Sequence, residues 1–311
     1  MSQKIALLFA GQGAQSVGMG KDLAAASPAA AAVFAEADAQ LGYALSQAAF
    51  EGPAEELTKT AVCQPALYVH GLACLAALRE RLPGFTFHAA AGLSLGEFTA
   101  HAAAGTFDFA TGLALVDKRA RAMQDACDET QGGMAAIIGA DENAIRDLAS
   151  AADVDIANLN CPGQIVISGE ASKIALAVGL AKEYGARKAV ELTVAGAFHS
   201  RLMDSAYQRL KAALEETAIS QPAVPVVCNV DAIPVSGPDE IRRTLADQVT
   251  GSVRWTESIE RLIEHEKIEL FIELGPGGVL AGLVGRIRKG TPVISISNLA
   301  TLEEAVGKLN L

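Results

Sequence analysis

Short apolar runs alternate with stretches of helical period along most of the chain. Ile5–Phe9 reads as a strand followed by a helix after Gly20, and Phe85–Leu93 reads as a strand leading into a helix that ends near Ala104. Val224–Val230, Leu270–Leu274 and Pro292–Ser297 read as further strands. Strands interleaved with helices predict an α/β domain built on a parallel sheet. Between Met134 and Phe198 the rhythm changes. Met134–Ala140 predicts a strand, Asp141–Ala152 a helix, Asp155–Asn160 and Gln164–Ser168 a hairpin turning at Pro162-Gly163, Ala171–Tyr184 a helix and Arg187–Val194 a strand. That β-α-β-β-α-β order is ferredoxin-like. It divides the chain into a discontinuous α/β domain, 1–131 with 198–311, and an inserted subdomain, 132–197.

Composition narrows the class. The chain has 311 residues, half of them hydrophobic and a fifth charged, the balance of a globular protein with a large core. The mean hydropathy is positive, +0.27, so a membrane span has to be tested. The apolar stretch from Thr60 to Leu78 is interrupted by Gln64, Pro65 and His70, which suits a buried helix better than a bilayer. The N-terminal run Met1-Ser2-Gln3-Lys4 followed by Ile5 to Ala10 lacks the charged leader and small-residue cleavage site of a secretory signal. Five scattered cysteines with no Cys-x-x-Cys pair argue against a disulfide framework or a zinc knuckle, and fit a reducing, cytoplasmic compartment. A formal charge of −11 argues against a nucleic-acid partner.

Candidate chemistry begins at Gly92-Leu93-Ser94-Leu95-Gly96, which fits the Gly-x-Ser-x-Gly pattern of a serine on a tight strand-to-helix turn. An ordinary Gly-Ser turn capping a helix fits the same five residues. A nucleophilic serine needs a base, and the histidines are His70, His88, His101, His199 and His265. His101 lies two turns along the helix that starts at Ser94 and points past it. His88 precedes the strand leading to Ser94 and belongs at its far end, while His70 and His265 sit in helical patterns. By elimination His199 is the candidate base, in Phe198-His199-Ser200 where the chain re-enters the main domain. Arg119, beside Lys118 and Arg121, reads by itself as a surface arginine on a helix.

Taken together, these blocks resemble the malonyl-CoA:acyl carrier protein transacylase family nearly end to end. The resemblance rests on Phe9-Ala10-Gly11-Gln12-Gly13-Ala14-Gln15, on Gly92 to Glu97, on Arg119, on Gly132-Gly133-Met134-Ala135-Ala136 and on Asn158-Leu159-Asn160-Cys161-Pro162-Gly163-Gln164. Further on it rests on Phe198-His199-Ser200, on Gln248 before Val253-Arg254-Trp255, and on Glu273-Leu274-Gly275-Pro276-Gly277.

The resemblance implies an α/β-hydrolase-like fold in which Ser94 becomes malonylated by malonyl-CoA, His199 serves as base and acid, and an acyl carrier protein thiol takes the acyl group. It implies that the backbone carbonyl of Gln248 orients the imidazole in place of an Asp, and that the amides of Gln12 and Leu95 form the oxyanion hole. Arg119 then holds the malonyl carboxylate through a planar two-pronged contact. Met123 and Asn160 line the substrate pocket, and Phe198 crowds an α-methyl branch. No cofactor, metal or redox group is implied, and the relatives are monomers. Carrier proteins of this system are acidic, as is this chain, so docking needs a local basic patch, for which Arg187, Lys188, Arg286, Arg288 and Lys289 are candidates. One departure is visible: many relatives carry His before the serine, where this chain has Leu93. Two other readings are a trans-acting acyltransferase of a polyketide synthase, and a serine esterase, which would want an Asp or Glu between Ser94 and His199 and have no use for Arg119.

Overall fold

The structure, a computed structural model, describes residues 3–309; Met1 and Ser2, which open the N-terminal run discussed above, lie outside the described residues. Its strands are β1 (Ile5–Phe9), β2 (Ala89–Gly92), β3 (Gly132–Ile138), β4 (Asp155–Cys161), β5 (Gln164–Glu170), β6 (Lys188–Glu191), β7 (Val226–Val227), β8 (Leu270–Leu274) and β9 (Val293–Ile296). They form two sheets, one of order β7-β2-β1-β8-β9 and one of order β4-β5-β3-β6. Every pairing in the first is parallel and every pairing in the second antiparallel.

The central strand β1 is apolar on both faces because both are covered, as parallel sheets require. Leu7 and Phe9 enter the core that contains the helix Thr60–Arg81, while Ala6 and Leu8 enter a second core with Trp255, Ile259 and Leu262. Strand β2 follows the same alternation, with Ala90 on the first side and Ala89 and Ala91 on the second. Helix Thr60–Arg81 is long and apolar enough to cross a membrane, yet 83% of its apolar window is buried inside the fold. Its Gln64 and His70 are buried with it.

The antiparallel sheet is likewise two-sided. Ala135, Ile137, Ile165 and Ile167 pack under the helices Glu142–Ala152 and Ala171–Leu180, whereas Met134, Ala136 and Val166 face the main core. Backbone bonds Leu159 N–H to Val253 O, 2.9 Å, and Val253 N–H to Ala157 O, 2.8 Å, tie it to the main domain.

Several strands are shorter than the apolar runs predicted. The run Val224–Val230 contributes only Val226–Val227. This is an edge strand; Pro225 has no N–H to give, and the chain turns back by Ala232, at φ 55°, so that Cys228 N–H bonds Ile233 O. Asn229 is thereby turned inward to the serine loop. The run Phe85–Leu93 yields only Ala89–Gly92, preceded by His88, whose Nδ1 accepts the N–H of Ile5 at the far end of β1.

Candidate active site

Parallel sheets offer their ligand crevice at the carboxyl ends of the strands. Here β1 runs into Gln12, β2 into Ser94 and β7 into Asn229, and the antiparallel sheet closes the other wall with Met134, Asn158, Asn160 and Val166. Between them lies a cleft of about 530 Å³.

Ser94 sits between β2 and the helix Leu95–Ala103 at φ 53°, ψ −110°, a strained conformation for a residue with a side chain. The flanking glycines are a matter of room. A Cβ on Gly92 would lie 1.9 Å from the carbonyl of Gly96, and one on Gly96 would lie 2.1 Å from the carbonyl oxygen of Phe9. Ser94 stands at the helix N-cap without making the usual side-chain bond to that helix, which leaves Oγ free. Oγ lies 2.8 Å from His199 Nε2. On the far side of the ring, Nδ1 donates to the backbone carbonyl of Gln248 at 2.7 Å, so Nε2 is the acceptor for the serine hydroxyl. Burial, reinforced by the nearby Arg119 charge, pushes His199 down to about 4, so the imidazole is neutral at physiological pH.

Arg119 comes from the helix Phe109–Glu129, started by Asp108, whose carboxylate accepts the Thr111 N–H at 2.8 Å. Far from lying on the surface, it is 1% exposed, with the guanidinium stacked over the Phe98 ring at 5.4 Å. Nη1 donates to Gln64 Oε1 at 2.5 Å, and Nη2 donates to Gln248 Oε1 at 2.8 Å and to Ser94 Oγ at 3.1 Å. All three acceptors are neutral, and Nε has no acceptor among the described residues. A buried cation held only by neutral oxygens keeps an uncompensated positive charge beside the nucleophile.

A second layer holds the serine loop. Asn229 Oδ1 accepts the Ser94 N–H at 2.7 Å, and its Nδ2 donates to Gly92 O at 2.8 Å. Gln248 Nε2 donates to Ser94 O at 2.9 Å and to Glu97 Oε2 at 2.6 Å, and Glu97 Oε2 also accepts the Asn229 N–H at 3.0 Å. The sequence reading passed over Asn229, Gln64 and the carboxyl of Glu97. Their signal was available in kind: polar residues inside segments otherwise read as buried. Which of them converge could not be read from the chain.

Gln12, Leu95, Met123, Asn160 and Phe198 line the cleft with Ser94, His199 and Arg119. Among the described residues, the backbone N–H groups of Gln12 and Leu95 have no acceptor, unlike those of Ser94, Gly96 and Glu97. Met123 Sδ accepts from Gln64 Nε2 at 3.5 Å, and Asn160 Oδ1 is buried without a partner among the described residues. Arg187 and Lys188 sit at the start of β6 beside the β4–β5 turn, where Arg187 covers Gly139 and Arg286 Nη1 bonds Gln164 Oε1 at 2.5 Å. Arg288 pairs with Glu264, and Lys289 follows at the end of the helix Val279–Ile287. His101 bonds Thr106 at 2.9 Å, away from the serine, and His70 bonds Ser297 O at 3.2 Å. Among the described residues, no group of three or more His, Cys, Asp or Glu is placed to hold a metal ion.

The sequence profile of the acyl transferase domain family matches residues 6–300. A Bacillus subtilis (strain 168) protein named malonyl CoA-acyl carrier protein transacylase is 44% identical over 311 residues, covering 98% of this chain and 97% of its own. The crystal structure of an acyl-carrier-protein-S-malonyltransferase from Bartonella henselae superposes with a TM-score of 0.94 at 40% identity, covering 99% of this chain and 100% of its own. A malonyl-transacylase solved in complex with a type II PKS acyl-carrier protein gives 0.93 at 37% identity, covering 98% and 100%.

Proposed function

This chain belongs to the acyl transferase domain family, and from that premise and the geometry around Ser94 we infer that it is an acyltransferase moving a malonyl group from malonyl-CoA to acyl carrier protein for fatty acid synthesis. The observation that carries the malonyl reading is Arg119, a buried guanidinium with only neutral partners 3.1 Å from the serine oxygen.

Ser94 gives its proton to His199 Nε2 as Oγ attacks the thioester carbon, and the negative charge on the carbonyl oxygen is met by the N–H groups of Gln12 and Leu95. The C–S bond breaks, His199 returns the proton to the departing sulfur, and malonyl-Ser94 remains. The carrier's pantetheine thiol then gives its proton to His199 and attacks the ester carbon; the bond from that carbon to Ser94 Oγ breaks, and His199 returns the proton to Oγ, which restores Ser94. A neutral carbonyl orients the imidazole, so the base stays weak and takes the proton only as the serine oxygen begins to bond. The malonyl carboxylate pairs with Arg119, with Met123 and Asn160 lining its pocket and Phe198 restricting an α-substituent. Arg187, Lys188 and Arg286 at the cleft rim, with Arg288 and Lys289 beyond, are the surface for an acidic carrier. The main domain, 1–131 with 198–311, is taken as α/β-hydrolase-like because of its strand–serine–helix turn, and 132–197 as a ferredoxin-like subdomain on its strand order.

A polyketide carrier is the second reading, favoured by the similarity to the type II PKS partner enzyme. Intact mass after mixing with malonyl-CoA, acetyl-CoA and methylmalonyl-CoA in turn tests the acyl assignment. Malonyl-CoA alone is expected to leave a stable adduct, and Ser94→Ala is expected to abolish it; an adduct on that variant would overturn the assignment of the nucleophile.

A further inference from the structure

Glu97 is the one carboxyl in the cluster and takes no part in the steps above. It is fully buried, on the first turn of the helix that Ser94 begins. Its Oε2 reaches Gln248 Nε2, and the opposite end of that same amide, Oε1, accepts from Arg119. Carboxyl, amide and guanidinium thus form one line in which the amide dipole is oriented from both ends, and the other carboxyl oxygen, Oε1, is buried with no partner among the described residues. When Glu97 is ionised, it answers the Arg119 charge through Gln248. A malonyl carboxylate arriving on Arg119 then makes a second anion beside one cation in a cleft shielded from water, where like charges are poorly screened.

We propose that Glu97 is a proton-linked rival of the substrate carboxylate for Arg119: the site holds the malonyl group tightly with Glu97 protonated and weakly with Glu97 ionised. This inference rests on the assignment of Arg119 as the malonyl-carboxylate receptor. Glu97 is a positioning residue that acts on the substrate through Gln248 and Arg119. The charged and titratable groups around it come from three elements. Arg119 stands on the helix Phe109–Glu129 and His199 on the loop before Arg201, and Cys228 and Asp231 follow β7. His199 is neutral, burial pushes the Cys228 thiol up to about 12, and Asp231 is ion-paired to Arg243 at 2.6 Å. Burial pushes the Arg119 guanidinium down to about 10, so it stays charged below that, and Glu97 is left as the group able to change charge against it. Burial pushes Glu97 up to about 8, against the pull of Gln248, Asn229 and Arg119, which places its titration within reach of assay. By linkage, malonylation on the alkaline side takes up a proton.

The test is the acylation half-reaction, followed by rapid quench and intact mass from about pH 6 to about pH 9, at several concentrations of malonyl-CoA and, in parallel, acetyl-CoA. In the wild type the half-saturating malonyl-CoA concentration should climb on the alkaline side, approaching roughly tenfold per pH unit, while the value for acetyl-CoA, which has no carboxylate, stays level. Glu97→Gln should remove the climb, and Glu97→Asp, which restores a titrating carboxyl, should bring it back with a displaced midpoint. An equal climb in Glu97→Gln, the same climb with acetyl-CoA, or a flat wild-type profile would each overturn the proposal. If Glu97→Gln does not fold, wild-type proton uptake on malonylation near pH 8, corrected for thiol ionisation of the released coenzyme A, decides alone, and zero uptake counts against it. Arg119→Ala separates the two layers: unchanged malonyl-over-acetyl selectivity there defeats the receptor assignment itself, whereas lost selectivity with a flat wild-type profile defeats only the role of Glu97.

Discussion

Truncating Arg119 to alanine is the sharpest perturbation of this site. Two buried acceptors, Gln64 Oε1 and Gln248 Oε1, lose their donor, at a cost of about 1–3 kcal/mol each. Against that, deleting a guanidinium that is 1% exposed removes a desolvation penalty of several kcal/mol. The two effects oppose each other, so the variant should fold, with a modest shift in its urea midpoint. Function should respond differently. Two charge-assisted bonds to the malonyl carboxylate, at about 1.5 kcal/mol or more each, amount to roughly a hundredfold to a thousandfold in kcat/KM for acylation. Arg119 also donates to Ser94 Oγ, and losing that bond changes the nucleophile for every substrate. The ratio of kcat/KM for malonyl-CoA over acetyl-CoA cancels that shared effect and isolates the carboxylate contact. It should fall by most of the stated factor, with Arg119→Lys, which keeps the charge but loses the planar fork, in between. A ratio within about twofold of wild type would refute the reasoning, because the only interaction that distinguishes the two acyl groups would then lie elsewhere.

Other consequences are open to measurement. Asn229→Ala removes the acceptor of the Ser94 N–H and the donor to Gly92 O, so urea unfolding should show a loss of about 2–4 kcal/mol and acylation should slow more than binding weakens. Because acylation needs neutral His199, and burial with Arg119 pushes that group down to about 4, the acid limb of acylation kcat/KM should lie well below the ordinary histidine midpoint of 6.5. His70, His101 and His199 are all held neutral in the fold, at about 4, 3 and 4, whereas the unfolded chain binds protons near 6.5. Their contribution to stability is thus complete above pH 6.5 and is lost as pH falls through the folded values, which urea midpoints at successively lower pH should trace. Gly92→Ala, whose Cβ would meet the Gly96 carbonyl at 1.9 Å, should displace the serine turn and suppress malonyl labelling even where circular dichroism reports a folded chain. Charge reversal at Arg286 should raise KM for the carrier protein while leaving malonylation by malonyl-CoA unchanged, since its guanidinium contacts Gln164 at the rim.

Much of the fold was legible in the chain because burial leaves a periodic trace. Ile5–Phe9 is apolar throughout and Leu270–Leu274 is apolar except for Glu273, whose carboxylate accepts the Leu280 and Ala281 N–H groups; both faces of a central parallel strand are covered, and the bounds match the runs visible in the sequence. The edge run Val224–Val230 is apolar but for Asn229, yet only two of its residues join the sheet, because Pro225 before them lacks a donor and Asn229 beyond them is claimed by the serine loop.

The site divides along the same line. A tight glycine–serine turn is a local object, and its spacing is visible because backbone crowding at Gly92 and Gly96 is settled within a few residues and a neighbouring strand. Arg119, by contrast, reads as a surface cation on a helix that also carries Lys118 and Arg121; it is buried by tertiary packing, against Gln64 of Thr60–Arg81, the Phe98 ring and Gln248. The Glu97–Gln248–Arg119 line joins residues from three helical segments, with up to 151 positions between neighbours, through a single amide. Sequence determined the kinds of groups present and the local turn that presents the serine. Tertiary structure decided which charges lose their water and which neutral partners replace it, because desolvation depends on what the rest of the chain packs around a group.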